Sequence, residues 1–202
     1  MSIPPLVPMA TGVERTDRER SSVIDGVDAG LRELMAVREI ARAFLTADHP
    51  GDVYRLALER VSPLVGAALA CVYLMDGDEV MKLGAAYNWP ERYSGFLGEM
   101  RVRVGFGPSG AAASRRQVIE VPDVFADAAL EDWREVATEL GFRSLVALPL
   151  QTTSGVHGTV TFYFAAAGAV TAEARGLLRV VADQMAATAE KARLIDELRE
   201  TN

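Results

Sequence analysis

Cysteine occurs once in these 202 residues, at position 71, which excludes an intrachain disulfide, a Cys-x-x-Cys pair and a cysteine-based zinc site. One thiol also fits a reducing cytoplasm. Histidine occurs twice, as His49 and His157, and the two are not at metal-ligand spacing. Basic residues are outnumbered, 21 against 28 acidic, and the net charge of −7 opposes nucleic-acid binding, which needs Lys and Arg to displace phosphate counterions. No apolar run approaches the roughly 18–20 residues that span a bilayer. The start, MSIPPLVPMATGVERTDRER, lacks an early basic stretch and prolines break its apolar part, so it does not read as a signal peptide. No Ser-His-Asp order with nucleophile-elbow glycines is present.

What is present suffices for a core. Half of the residues are hydrophobic and 24% are charged, the balance of a soluble protein, and the length fits one domain with appendages. Residues 1–21 are expected to be disordered. A helix is expected from Ser22 to about Ala47, with one stripe of Ile24, Val27, Leu31, Leu34, Arg38, Ala41 and Leu45 and a second of Val37, Ile40 and Phe44. Two stripes imply packing on the domain's own sheet and on a partner. Asp48-His-Pro50 breaks this helix, and a second runs from Pro50 to about Val65-Gly66. Ala67–Met75 is a continuous apolar run, and Asp76-Gly-Asp78 turns it into a return strand, Val80–Asn88. Apolar residues on both faces of the first strand mark it as central.

After Trp89-Pro90, Glu91–Glu99 reads as a short helix and Met100–Val104 as a strand. A turn-rich loop, Gly105–Gly110, precedes a short helix at Ala111–Arg116 and a strand at Val118–Val121. Asp127–Leu140 is amphipathic, with Gly141 as its C-terminal cap. A closing hairpin joins Arg143–Leu150 to Val156–Phe164. Thr171 then N-caps a last helix, with Glu173 in its first turn. In that helix Leu178, Val181, Met185, Thr188, Ala192 and Ile195 recur at 3-4-3-4-3 spacing, the pattern of a coiled-coil seam. A homodimer through this seam is expected, weakened by a charge at Met185. No cap follows Leu198-Arg199, and the natural chain is expected to continue beyond Asn202.

The order of these elements and their punctuation resembles a GAF domain between Leu31 and Leu198. The residues that carry the likeness are Asn88-Trp89-Pro90, Gly105-Phe-Gly-Pro-Ser-Gly110, Val121-Pro-Asp-Val124, Arg143-Ser-Leu-Val-Ala-Leu-Pro-Leu150 and Gly158. The resemblance implies an α+β, three-layer α/β/α (profilin-like) fold with long N- and C-terminal helices. Its central antiparallel sheet would have the order 2-1-5-4-3. The domain would run from 22 to 175, with 176–202 as a signalling helix. One face of the sheet would carry the long helices and the other a pocket under short ones.

The pocket implied by the resemblance lies under Trp89–Trp133. Trp89, Tyr93, Phe106, Phe125 and Trp133 are its aromatic candidates, and Asp123, Arg143 and Ser144 its polar ones. The aromatics either hold a flat ligand or fill the space between helices and sheet. Asp123 either flanks the pocket mouth or caps the following turn. Arg143 either binds a phosphate or carboxylate or pairs with Asp123 or Glu139. Gly105–Gly110 opens a helix as a phosphate cradle would, but lacks the Lys-Ser/Thr of a nucleotide loop and serves equally as a turn. Cys71 reads as a buried small hydrophobe. No Cys-His pair offers a bilin attachment, one thiol cannot run the redox cycle of the GAF-fold methionine sulfoxide reductases, and the Asn-Lys-Phe-Asp-Glu pattern of cyclic-nucleotide binders is missing. His157 is expected on the strand face of Thr159, Thr161 and Tyr163, as a haem-ligand candidate or as a solvated or helix-covered strand residue.

Two functions are therefore expected of such a chain, both cytoplasmic, non-enzymatic and without metal or known cofactor. One is a sensor that binds a small molecule and signals through a dimeric helix to a fused output domain, such as a histidine kinase of a two-component system or a diguanylate cyclase. The other is a ligand-free scaffold for dimerisation and coupling.

Overall fold

A strand that is apolar on both faces needs a cover on each side, and Leu69–Met75, β1, has one on each. In this computed structural model Ala70 and Val72 enter one core, and Leu69, Cys71 and Tyr73 the other. The structure describes residues 50–200 and, before them, residues 23, 26–28, 30–32, 34–35, 37–39 and 41–42. The expected disordered segment 1–21, the stripe residues Ile24, Ile40, Phe44 and Leu45, and the break at Asp48-His49 lie outside the described residues. Met1–Met35 is one unit and Ala36–Asn202 another. The described residues of the first are helical, with Val27, Leu31 and Leu34 exposed.

In the second unit, α1 is Pro50–Val65 and β1 pairs with β2, Val80–Tyr87. A 3-10 turn, Glu91–Tyr93, leads into α2, Ser94–Glu99, and the edge strand β3, Arg101–Arg103. There follow α3, Gly107–Arg115, and β4, Ile119–Val121. A 3-10 segment, Ala128–Trp133, precedes α4, Arg134–Leu140. The closing hairpin is β5, Ser144–Thr152, and β6, Gly155–Phe164, and α5 is Ala172–Glu200. All strands pair antiparallel in the order β3-β2-β1-β6-β5-β4. This contains the expected 2-1-5-4-3, with β3 added outside β2. One face is covered by α1 and α5, whose Leu58, Val61, Leu178 and Val181 pack with Val146, Leu148 and Phe162. Among the described residues, no helix is long and apolar enough to cross a membrane.

The expected starts and ends of elements shift where backbone chemistry intervenes. α3 begins at Gly107 rather than Ala111, because Pro108 in its first turn needs no hydrogen-bond partner there. Gly110 lies in that helix, and a Cβ on it would stand 2.2 Å from the Arg103 carbonyl oxygen, so the position requires glycine. Asp127–Leu140 is not one helix. Leu130 leaves helical geometry (φ −112, ψ 21), and Asp127 Oδ1 accepts a 2.9 Å bond from the Ala129 N–H, which anchors the tighter 3-10 turn. Gly141 ends α4 in the left-handed conformation (φ 72), as expected of its cap. Thr171 caps α5, its Oγ1 accepting from the Ala174 N–H at 3.1 Å.

Two expectations need correction. Leu178, Val181 and Met185 are fully buried against their own sheet, and Thr188 is 6% exposed, so the first half of the proposed seam is domain core and closed to a partner. The 3-4 spacing is the same for a sheet-facing stripe as for a coiled-coil seam, and the apolar sheet took it. α5 is also continuous across residue 175, packing on the sheet as far as Ala189. Second, a bulge between Leu150 and Gln151 opposes those two residues to Gly158 and Val156 and leaves His157 as the extra residue. His157 therefore faces α5 rather than sharing the face of Thr159, Thr161 and Tyr163.

Candidate functional site

On the sheet face opposite α1 and α5, a cavity of about 360 Å³ lies beneath the segment from α2 to the 3-10 turn at Trp133. Strand alternation builds its floor: Tyr73 from β1, Leu145 from β5, and Thr161 and Tyr163 from β6. Val124, Leu130, Trp133 and Phe142 form apolar walls. Phe96, Phe106, Arg101 and Arg103 line the mouth, where Phe106 is 63% and Phe96 47% exposed. The first turn of α3, Gly107–Ser109, opens onto the same mouth and has no side-chain cap. At about 30 Å³ per water-sized group, the space holds on the order of a dozen such groups, which suits a small ligand.

Its polar groups are few and weakly satisfied. Ser109 and Thr161 share a 2.8 Å hydroxyl contact. Tyr73 and Tyr163 are 3% and 6% exposed, and their hydroxyls meet sulfur: Tyr73 donates to Met100 Sδ at 3.4 Å, and Tyr163 lies 3.6 Å from Cys71 Sγ. Sulfur is a weak acceptor. Burial, with the neighbouring thiol, holds both phenols protonated, and burial pushes the Cys71 thiol up to about 12. Cys71 is thus a neutral, buried group, unsuited to nucleophilic or redox work as it stands.

Of the residues expected to hold a ligand, the cavity brings together Phe106 and Trp133. Trp89 packs edge-on against Tyr163 at 5.5 Å and donates Nε1–H to the Ala70 carbonyl at 3.1 Å. The preceding Asn88 adopts φ 58 and donates to the Ala68 carbonyl, so Asn88-Trp89 clamps the end of β1. Tyr93 donates to Glu139, which also pairs with Arg92 at 2.7 Å, tying the segment before α2 to α4. The alternatives for Asp123 and Arg143 resolve together. Asp123 pairs with Arg143 at 2.6 Å and accepts from the Phe125 N–H at 3.0 Å, while the Arg143 guanidinium lies 5.5 Å over the Phe125 ring. Arg143 and Phe125 border a separate shallow cleft. Ser144 donates to the Ala166 carbonyl at 2.7 Å and is spent on the fold.

The sequence reading missed Tyr73, Tyr163, Arg101 and Arg103. The alternation that put Cys71 on one face of β1 also placed Tyr73 there, which was the available signal. His157 rests under α5, 8% exposed, 2.8 Å from Thr152 Oγ1 and 4.0 Å from Glu190. Burial lowers its pKa, partly opposed by Glu190. Among the described residues, no group of three or more His, Cys, Asp or Glu side chains could hold a metal ion.

Comparison with known proteins agrees with this geometry. A family model described as a GAF domain matches residues 47–189. No curated protein matches the chain in sequence. Three solved structures illustrate the fold likeness. The GAF domain of a Coxiella burnetii phosphoenolpyruvate-protein phosphotransferase is similar at 18% identity and TM-score 0.71, over 83% of this chain and 98% of that one. A free methionine-R-sulfoxide reductase from Neisseria meningitidis, in complex with its substrate, is similar at 15% identity and TM-score 0.67, over 83% and 93%. A domain assigned to a two-component sensor histidine kinase of Sinorhizobium meliloti is similar at 18% identity and TM-score 0.59, over 76% and 99%.

Proposed function

The chain belongs to the GAF domain family, a regulatory and sensory class of module, and on that premise we propose that it senses a small molecule in the 360 Å³ cavity. The observation that carries this reading is the open apolar cavity itself, which the domain's own side chains leave unfilled. A scaffold of the same family would be expected to close it.

The relay we propose runs through the sheet. Thr161 and Tyr163 face the cavity, while Val160, Phe162 and Phe164 of the same strand share a core with Leu178, Val181 and Met185 of α5. A ligand that shifts β6 must therefore repack α5. Switching needs a differential affinity for two states, of about 1–3 kcal/mol in typical couplings. The proposed receiver is an output domain such as a histidine kinase or diguanylate cyclase in the cytoplasm. The module itself is read as non-catalytic, since its one thiol is buried and neutral.

Homodimerisation, in this reading, uses the distal part of α5. Leu194, Ile195 and Leu198 are 47%, 38% and 65% exposed and fall on one side of the helix. From the expected seam only Ala192, half-buried, and Ile195 remain available.

Native mass spectrometry of the freshly purified protein, beside its denatured mass, tests the sensor reading. The expected result is a species with extra non-covalent mass that is lost on denaturation, or that returns when a cell extract's small-molecule fraction is added. No added mass in either preparation favours the scaffold.

A further inference from the structure

Resting on that reading, we propose that the cavity selects a small aromatic carboxylate, with its anion at the Arg101/Arg103 mouth and its ring inside. The mouth and the floor differ in chemistry. Arg101 and Arg103 stand on alternate positions of β3, and among the described residues neither has a carboxylate within ion-pair distance. Arg92, Arg143 and Arg175, by contrast, each pair with an acid. Arg101 spends one nitrogen on the Gly98 and Met100 carbonyls, which fixes the side chain and leaves other donors free. The Arg103 guanidinium sits 5.1 Å over the Phe106 ring, held beside the opening.

The first turn of α3 opens at the same place. Its Gly107 and Ser109 N–H groups have no intrahelical acceptor by position, and no side chain caps them. Two arginines and an uncapped helix start line one opening, and among the described residues no carboxylate lines it. A carboxylate there would meet cations and N–H donors together. A cationic ligand would meet like charge.

Inside, the chemistry changes. Phe142, Trp133 and Leu130 offer apolar and aromatic faces, with no ionised group among the lining residues of the interior. Tyr73 and Tyr163, more than nine-tenths buried, line this end with hydroxyls bonded only to sulfur. Each can turn its donor to a better acceptor. A ring bearing an oxygen as well as its carboxylate would use both kinds of donor, so a hydroxylated benzoate is the chemical class that fits.

The test uses the full chain and three probes of one shape: 4-hydroxybenzoate, its neutral amide 4-hydroxybenzamide, and cationic 4-hydroxybenzylamine. Binding is followed by calorimetry and by the indole N–H resonance of Trp133 in nitrogen-edited NMR spectra. The anion is expected to bind at least about tenfold tighter than the amide, and the amine weakest, with affinity falling as salt rises. R103M and R101M keep the aliphatic stem of exposed residues, so thermal unfolding should be unchanged while each removes about tenfold of the anion's advantage. Y73F and Y163F should shrink the preference for 4-hydroxybenzoate over benzoate. Equal binding of amide and anion, or an advantage that survives R101M/R103M, overturns the carboxylate assignment and leaves the sensor reading standing. No response to any probe at millimolar concentration also overturns it. The sensor reading then fails only if native mass spectrometry shows no retained compound.

Discussion

Gly158 shows how one residue can set a strand pairing. A Cβ there would lie 2.1 Å from the Tyr73 carbonyl oxygen, on the neighbouring central strand. Gly158→Ala must push β6 off β1, and is expected to cost about 3 kcal/mol or more in urea unfolding. A loss under about 1 kcal/mol would mean that the bulge beside it absorbs the methyl group. Single carboxylates set the acid response. The Tyr93 phenol and then Arg92 hold Glu139 below its ordinary range, and Arg143 does the same for Asp123. Both bind fewer protons folded than unfolded, so their contribution is complete above the ordinary carboxylate range, about pH 5, and fades as pH falls below it. E139Q and D123N should flatten that part of the stability–pH curve. His157 works in the same direction at higher pH, because burial lowers its pKa and folding then resists its protonation. Stability should fall as pH drops below about 6.5, and H157Q should remove that slope.

At the scale of elements, α5 performs two tasks along one length. Up to Ala189 its apolar stripe is core, and beyond it Leu194, Ile195 and Leu198 are exposed. Met185→Ala should therefore cost about 2–5 kcal/mol of stability, as a fully buried truncation does. A glutamate at Met185 tests folding, not association. Ile195→Glu should leave unfolding within about 0.5 kcal/mol of the parent and weaken the proposed dimer at least about tenfold in sedimentation equilibrium. An unchanged dimer would remove the distal stripe from the interface. The helical pattern in the sequence was read correctly, but not its division. A 3-4 repeat reports one apolar face and cannot say whether a sheet or a second helix covers it.

Across the whole molecule, two segments far apart in sequence, each adjoining the elements that line the cavity, are tied together. Arg92 and Tyr93, before α2, both meet Glu139 on α4. Glu139→Ala should loosen this tie, raising amide hydrogen exchange in 91–99 and 134–140 with little change in global stability. The two hairpins were legible because turns and alternation are local, while the layers and the strand order came with the resemblance to a GAF domain. The site was less so. Trp89 and Tyr93 carry the aromatic signal of a pocket, yet one packs against Tyr163 and the other faces Glu139. Arg101 and Arg103 sit on a strand of three residues, too short for its register to be read.

By itself the sequence determined the fold family, the central position of β1, the closing hairpin, the Gly141 and Thr171 caps and the burial of Cys71. The fold family follows from the resemblance of its ordered motifs to GAF domains, and the rest from the order of nearby residues, through periodicity, turn chemistry or hydrophobicity. Tertiary structure alone decided that Arg143 pairs with Asp123, that a bulge turns His157 toward α5, and that Tyr73 and Tyr163 share a cavity with Arg101 and Arg103. Those outcomes depend on which strands neighbour which, and on where one extra residue interrupts the alternation.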